Sequence, residues 1–384
     1  MDIALHQIAT NTDGTYCYVH ARGLLLPHGE GLITLQKLDL SGCDLFDGIE
    51  MMKTSDGGKS FSPPHPCEKL RREYFENGIS RVMCDATPFF HQKTKKILLT
   101  GHTAWYNEKG KILRGTSYKR LPAYAVYDES TGDFGPIQQI ELEGEDYSSS
   151  GAGCTQIWEC ENGELLIPIY HQSLAASEDP RSCTSVSVLR CAFDGEKLRL
   201  LQIGDGITTT VPRGLGEPSL IRHKDAYFLC LRNDVTGFVA QSRDGLHFGA
   251  PIELCFENGQ SIGNYNTQQH WLAGDGRLFL VYTRRAGYND HIFRHRAPLF
   301  MAEFDPTRMC LLRDTERIVV PERGARLGNF GCQSFSEETG LVFAAEWMQN
   351  DPYGWEACAR YGSDNSIFIS KISYRKDSGE ECEK

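Results

Sequence analysis

The 384-residue chain is 40% hydrophobic and 24% charged, the make-up of a folded protein with a large core and not of a disordered one. Its net charge of −11 argues against nucleic acid as a partner, because phosphates demand a basic face. No apolar run approaches a membrane span, the longest buried-looking stretches such as Leu278 to Tyr282 being strand-sized, so no membrane partner is expected either.

The chain opens MDIALHQIATNTDGTY, with no basic n-region and no apolar h-region, which predicts a cytoplasmic protein. Short β-branched, aromatic and aliphatic runs follow: 31–36, 48–53, 96–101, 123–128, 164–170, 185–193, 226–232, 277–283, 298–305 and 340–347. Gly, Asp, Asn and Pro turns bound them, so they read as strands. The run 67–75 (CEKLRREYF) reads as a short helical or irregular insertion. No long amphipathic helix is evident, and many short strands imply a sandwich, a barrel or a propeller. The last ten residues, 375–384, are polar and are expected to form a disordered tail on a single domain spanning 1–374. The fourteen cysteines are scattered, with no CxxC pair and no Cys/His zinc spacing, so they read as free thiols used as small hydrophobes. No metal site and no organic cofactor are expected, since no ligand cluster, phosphate loop or dinucleotide fingerprint is present. The sequence does not specify an oligomeric state.

Two turns share one order of residues. Thr54-Ser55-Asp56-Gly57-Gly58-Lys59-Ser60-Phe61 and Ser242-Arg243-Asp244-Gly245-Leu246-His247-Phe248 each run hydroxyl, Asp, Gly, aromatic after a strand. The Asp accepts backbone N–H bonds, the Gly takes positive φ and the ring packs back under the turn. Asp128 to Phe134 is a worn copy, and a recurring unit of this kind marks a repeat architecture. The motif resembles the Asp-box of sialidase-type β-propellers. The runs 153–170 and 217–248 are similar to consecutive sialidase segments, the second with a Glu start, a strand closing on Arg and then the Asp-box. The resemblance implies an all-β, six-bladed propeller of about 64 residues per blade.

A propeller brings residues distant in sequence to one axial mouth. A sialidase needs arginines there to clamp the sugar carboxylate, an acid to protonate the leaving oxygen, and a tyrosine nucleophile activated by a glutamate. The resemblance assigns Arg232 to the clamp, with Arg22, Arg296 and then Arg294 as further candidates, Arg294 sharing a face with Arg296 if the segment is extended. It assigns Glu217 to the activating glutamate and Asp85 to the acid, which needs a raised pKa. The tyrosine position falls near Phe330, and phenylalanine has no hydroxyl to attack with. Tyr353 and Tyr361 follow in the last loop, and Tyr265, Tyr282 and Tyr288 lie one blade earlier.

The chain also concentrates histidines and amides in 264–296, including Gln269, His270, His291 and His295, with His102 ending an earlier strand. Such groups line polar sugar sites, and a neutral histidine is a natural base for the C5 proton of a uronic acid. His270 and His102 are the base candidates; Gln269, His291 and His295 join the arginines as binding candidates. The leading expectation is an exo-acting glycoside hydrolase of the sialidase-like class, acting on a carboxylate-bearing sugar or oligosaccharide without a tyrosine nucleophile. A histidine-based polysaccharide lyase on the same scaffold and a non-catalytic carbohydrate-binding propeller are the alternatives, because fold does not dictate function.

Overall fold

The structure is a computed structural model that describes all residues except 11–13, 43, 180–181, 350–353 and 375–384; the predicted tail lies outside the described residues. The runs expected to be strands are strands, and among the described residues the only α-helices are the short Leu174–Glu178 and Gly354–Ala359. The 67–75 insertion is irregular, a 3-10 turn at Glu68–Leu70 followed by the two-residue strand Glu73–Tyr74.

The strands form six antiparallel sheets. In chain order their innermost members are Tyr16–Leu25, Ser80–His91, Ser149–Gly151, Gly216–His223, His270–Gly274 and Gly331–Ser336, and they define the first to sixth sheets below. Each sheet packs on the next and the sixth packs back on the first, so the sheets close into a propeller around one axis. The closure is made by the N-terminus. Asp2–Ile8 pairs along its whole length with Ile367–Ser373, Asp2 opposite Ser373 and Ile8 opposite Ile367. Sequence reasoning left that first strand unassigned. Apolar clusters fill the wedges between sheets, as where Phe228, Trp271 and Phe304 join the fourth and fifth.

Two inner strands, Tyr16–Leu25 and Ser80–His91, were missed or misplaced because polar residues interrupt them, while the strand expected to start at Glu217 is present as Gly216–His223. Tyr16–Leu25 carries His20 and Arg22, and its ladder to Gly31–Asp39 shifts register between Val19 and Arg22. Asp85 does not precede a strand; it sits inside Ser80–His91, at a register shift between Cys84 and Thr87. Glu217 lies in the shift between Gly216 and Ser219. At each shift a non-glycine residue has positive φ: 58° for His20, 55° for Asp85 and 39° for Glu217. Bulges re-aim side chains, and strained backbone of this kind costs of the order of 1–3 kcal/mol per residue.

The two repeated turns have matching hydrogen bonds. Asp56 accepts from the backbone N–H groups of Lys59 and Ser60 at 2.9 and 3.0 Å. Asp244 accepts from those of Leu246 and His247, both at 2.9 Å, and from His247 Nδ1 at 2.6 Å. Partial burial opposes ionisation of Asp244, but these donors outweigh it and hold the carboxyl below its usual range, while the carboxylate raises the pKa of His247. A depressed carboxyl stabilises the fold above its unfolded pKa and loses that contribution as pH falls; a raised histidine contributes below its unfolded pKa and loses it as pH rises. The turn therefore contributes most between roughly pH 4 and 6.5. Asp244→Ala is expected to cost about 1 kcal/mol in urea unfolding at pH 5.5 to 6, discounted for exposure, and progressively less below about pH 4.

Candidate active site

The inner strands surround a cavity of about 460 Å³ at one end of the axis. Arg114, Arg120, Arg213, Arg232, Arg294, Arg296 and Arg326 line it, against the carboxylates Asp44, Asp85, Glu217 and Asp234. Seven guanidinium groups against four acids make a basic pocket in an acidic protein, so the local field favours an anion.

On one wall, Arg232 closes the strand Ala226–Arg232 and points back to the Glu217 bulge, where its Nη1 is ion-paired with Glu217 Oε1. Its Nη2 donates to Asn266 Oδ1 at 2.7 Å and reaches Asp234 Oδ1 at 3.4 Å. Asn266 gathers the other two candidates. Arg296 donates through Nε at 3.0 Å, and also through Nη2, to the Asn266 carbonyl, and Arg294 Nη1 donates to Asn266 Oδ1 at 3.3 Å. The segment carrying them is not extended: Phe293–His295 is a 3-10 turn with Arg294 at φ 56°, so the two arginines meet through that turn and not by strand alternation. Burial, with Arg232 beside it, pushes the Arg296 guanidinium down to about 9.

The floor is built by Arg22. It does not line the cavity; it lies fully buried beneath. Its donors go to Cys154 Sγ at 2.9 Å, Gln268 Oε1 at 3.3 Å, and the carbonyls of Ala86 and Phe330 at 3.4 Å, with Asp85 Oδ1 3.6 Å away. Its role as a substrate clamp is therefore corrected to that of a structural charge. Asp85 is corrected as well. Burial acts to raise its pKa, but His20 (3.3 Å), Arg22 and His102 outweigh it and hold the carboxyl well below the usual range. Asp85 is thus a carboxylate and lacks the proton a general acid must give.

The histidines separate. His102 lines the cavity, and its Nδ1 lies 3.1 Å from the Tyr170 hydroxyl. Gly153 is bare beside it, since a Cβ there would collide with His102 Nδ1 and Asp85 Cβ. His270, the other base candidate, lies outside the lining: its Nδ1 is 2.6 Å from Ser219 Oγ, its ring is edge-on to Phe330, and burial and Arg22 push it down to about 3. His291 pairs with Glu322 and stacks on Tyr361, His295 pairs with Asp290, and Gln269 is buried near Gly237; none lines the cavity.

At the predicted tyrosine position, Asn329 lines the cavity and donates toward His20 Nε2 at 2.8 Å, while Phe330 is fully buried behind it. Tyr265, Tyr282, Tyr288 and Tyr361 lie outside the lining, and Tyr353 lies outside the described residues. The tyrosines that do reach the cavity are Tyr106 and Tyr170. Neither was singled out from sequence, nor were His20, Cys154, Arg120, Arg326 and Asn329. Asn266 belongs to the polar run 264–296; His20 is a polar residue interrupting an apolar strand, whereas Arg120, Cys154, Asn266, Arg326 and Asn329 lie outside the strands and carry no such local signal. Among the described residues no group of three or more His, Cys, Asp or Glu is placed to hold a metal ion, and no helix is long and apolar enough to cross a membrane.

No protein-family model matches the chain, and no curated protein matches it by sequence. Solved structures do share its fold. A protein of unknown function from Dyadobacter fermentans is similar at a TM-score of 0.67 and 14% identity, covering 97% of this chain and 99% of its own. The sialidase of Trypanosoma rangeli is similar at a TM-score of 0.63 and 11% identity, over 96% of this chain and 59% of its own length. A Hadza microbial sialidase gives 0.61 and 10%, over 93% and 66%. The fold is an all-β propeller similar to that of sialidases.

The floor of the site makes a stability prediction. Asp85→Ala leaves Arg22 buried without its carboxylate and is expected to cost about 3–5 kcal/mol in urea unfolding near pH 7. Because the Asp85 pKa is depressed, this contribution is fully present above the unfolded carboxyl pKa and the gap between wild type and variant should shrink steadily as pH falls below about 4.

Proposed function

We propose that the protein is a glycan-processing enzyme that holds an acidic sugar by its carboxylate in the arginine-lined cavity. The carrying observation is Asn266, which draws Arg232, Arg294 and Arg296 to one wall, where guanidinium groups can meet a carboxylate in paired hydrogen bonds. We read each sheet as one blade of a six-bladed propeller and residues 1–374 as one domain, so the cavity is the axial mouth. The protein is read as cytoplasmic, with an oligosaccharide as its substrate.

Two reactions fit such a grip. Exo-acting hydrolysis, with water activated by Glu217 or Asp85, is supported by the likeness to sialidases. A retaining route through tyrosine is not part of it, because the position where the resemblance expects that tyrosine reads Asn329-Phe330, and neither side chain has a phenol hydroxyl. Elimination from a uronic acid is supported by the one predicted base that lines the cavity, His102. A carbohydrate-binding protein without turnover is the outcome against both.

A panel of sialosides and uronate oligosaccharides, assayed by calorimetry for binding and by product mass for turnover, tests the proposal. Binding of at least one acidic sugar is expected, with its neutral counterpart much weaker. Arg232→Ala and Arg296→Ala should each cost about 2–5 kcal/mol of that binding. Equal binding of acidic and neutral sugars, or unchanged affinity in both variants, would sink the carboxylate grip.

A further inference from the structure

We propose that His102 and Tyr170 are the base and the acid of a β-elimination, and that the sugar in the cavity is a uronic acid substituted at its C4 oxygen. The inference rests on the carboxylate grip proposed above and chooses elimination over water attack.

The argument starts from proton donors. Hydrolysis of a glycosidic bond needs a group to protonate the leaving oxygen. Asp85 is held as the anion by His20 and Arg22, and Glu217 is ion-paired with Arg232. Asp85 has no proton to give, and the Glu217 carboxyl is engaged by the arginine. The hydroxyl acids on the wall are Tyr106 and Tyr170. Tyr106 donates to the Asp44 carbonyl at 2.8 Å and is committed there. Tyr170 makes its hydrogen bond to His102 Nδ1, and burial raises its pKa, so it carries its proton at neutral pH.

The pair suits elimination. With Nδ1 donating to the Tyr170 oxygen, His102 Nε2 has a free lone pair, and Nε2 has no hydrogen-bond partner among the described residues. The groups facing His102 are Asp85, Arg120, His20 and Arg22 as well as Tyr170; burial and the cations prevail over Asp85 and push the ring down to about 4. It is therefore neutral at physiological pH. The Arg120 guanidinium lies 4.8 Å from the centre of the Tyr170 ring, where it favours negative charge developing on the phenol oxygen.

The step balances without water, oxidant or metal. His102 Nε2 takes the C5 proton. The C5–H electron pair forms the C4=C5 double bond, the C4–O4 bond breaks, and O4 takes the Tyr170 hydroxyl proton. The Nδ1 proton then passes along the 3.1 Å hydrogen bond to the Tyr170 oxygen, leaving a neutral histidine protonated on Nε2. Arginines on the sugar carboxylate stabilise the charge that collects there as the C5 proton leaves.

The test uses the full chain and a set of 4-linked hexuronate oligosaccharides, followed by product mass, near-ultraviolet absorbance and C5 hydrogen exchange in heavy water. The expected products sum to the mass of the substrate, and one carries the unsaturated carboxylate. Tyr170→Phe should keep the calorimetric affinity, lose at least about 100-fold in turnover and still exchange the C5 hydrogen. His102→Gln should bind yet neither exchange nor turn over. In the wild type, kcat/KM should be flat from neutrality down to about pH 5 and fall below it, since the base must be unprotonated. Products that gain water, a Tyr170→Phe enzyme within a few-fold of wild type, C5 exchange surviving in His102→Gln, or uronate binding without turnover would each overturn the inference and leave the carboxylate grip standing. Failure of the wild type to bind any acidic sugar would instead remove the grip itself.

Discussion

The buried Arg22 guanidinium is the constraint on which the rest of the centre depends. It comes from the first sheet, and its acceptors come from elsewhere: Ala86 and Asp85 in the second, Cys154 just beyond the inner strand of the third, Gln268 just before the fifth, Phe330 at the edge of the sixth. A fully buried charge costs several kcal/mol unless its hydrogen bonds are met. The ring of sheets can therefore open only by leaving that charge without partners. Apolar packing holds each wedge, whereas Arg22 ties distant sheets to one point on the axis.

The site above it is assembled by a repeated backbone device. His20, Asp85, Cys154, Glu217 and Asn266 sit at or near the inner edges of five successive sheets, and all five have positive φ. None is glycine, so each conformation is costly and is sustained by its surroundings. The bonds at these residues show what sustains them: Asp85 N–H donates to Gln36 at 3.2 Å, Cys154 N–H to the Asp85 carbonyl at 2.9 Å, and Asn266 N–H to the Asn233 carbonyl at 2.8 Å. Each kink turns a polar side chain from the wedge toward the axis. A regular strand would keep it in the alternation between faces.

Electrostatics at the mouth runs against the charge of the whole molecule. The protein is acidic, yet the cavity wall is dominated by arginine. Burial, and then repulsion from Arg232, lowers the pKa of Arg296, and Asn266 offsets part of that repulsion by accepting from three guanidinium groups. Glu217 neutralises Arg232, and Asp234 pairs with both Arg213 and Arg232. A bound carboxylate would relieve the same repulsion, so its differential effect in this cleft exceeds what it would have on open surface. Asp85 is held as the anion by His20 and Arg22 beside it, and burial first, then the neighbouring cations, keeps His102 neutral.

Some of this was legible in the sequence. Strand runs bounded by turn residues, and the hydroxyl–Asp–Gly–aromatic turns, depend on local chemistry, and local chemistry is written in consecutive residues. They were sufficient to expect an all-β ring; the resemblance to sialidase-type propellers that the turns carry pointed to Arg232, Arg296, Glu217 and Asp85, and the chemistry of a neutral histidine base pointed to His102, and these five line one cavity. The inner strands Tyr16–Leu25 and Ser80–His91 were not legible, because bulged polar residues break the period of two that marks a strand. Nor was the N-terminal strand, whose pairing with Ile367–Ser373 is set by ring closure across the whole chain. The roles of individual groups were decided only by tertiary structure. Arg22 went beneath the floor, Asp85 was made an anion, His270 was buried away from the cavity, and Tyr170 was brought to His102. A side chain's protonation and access depend on which groups the fold sets beside it, and those neighbours come from other sheets.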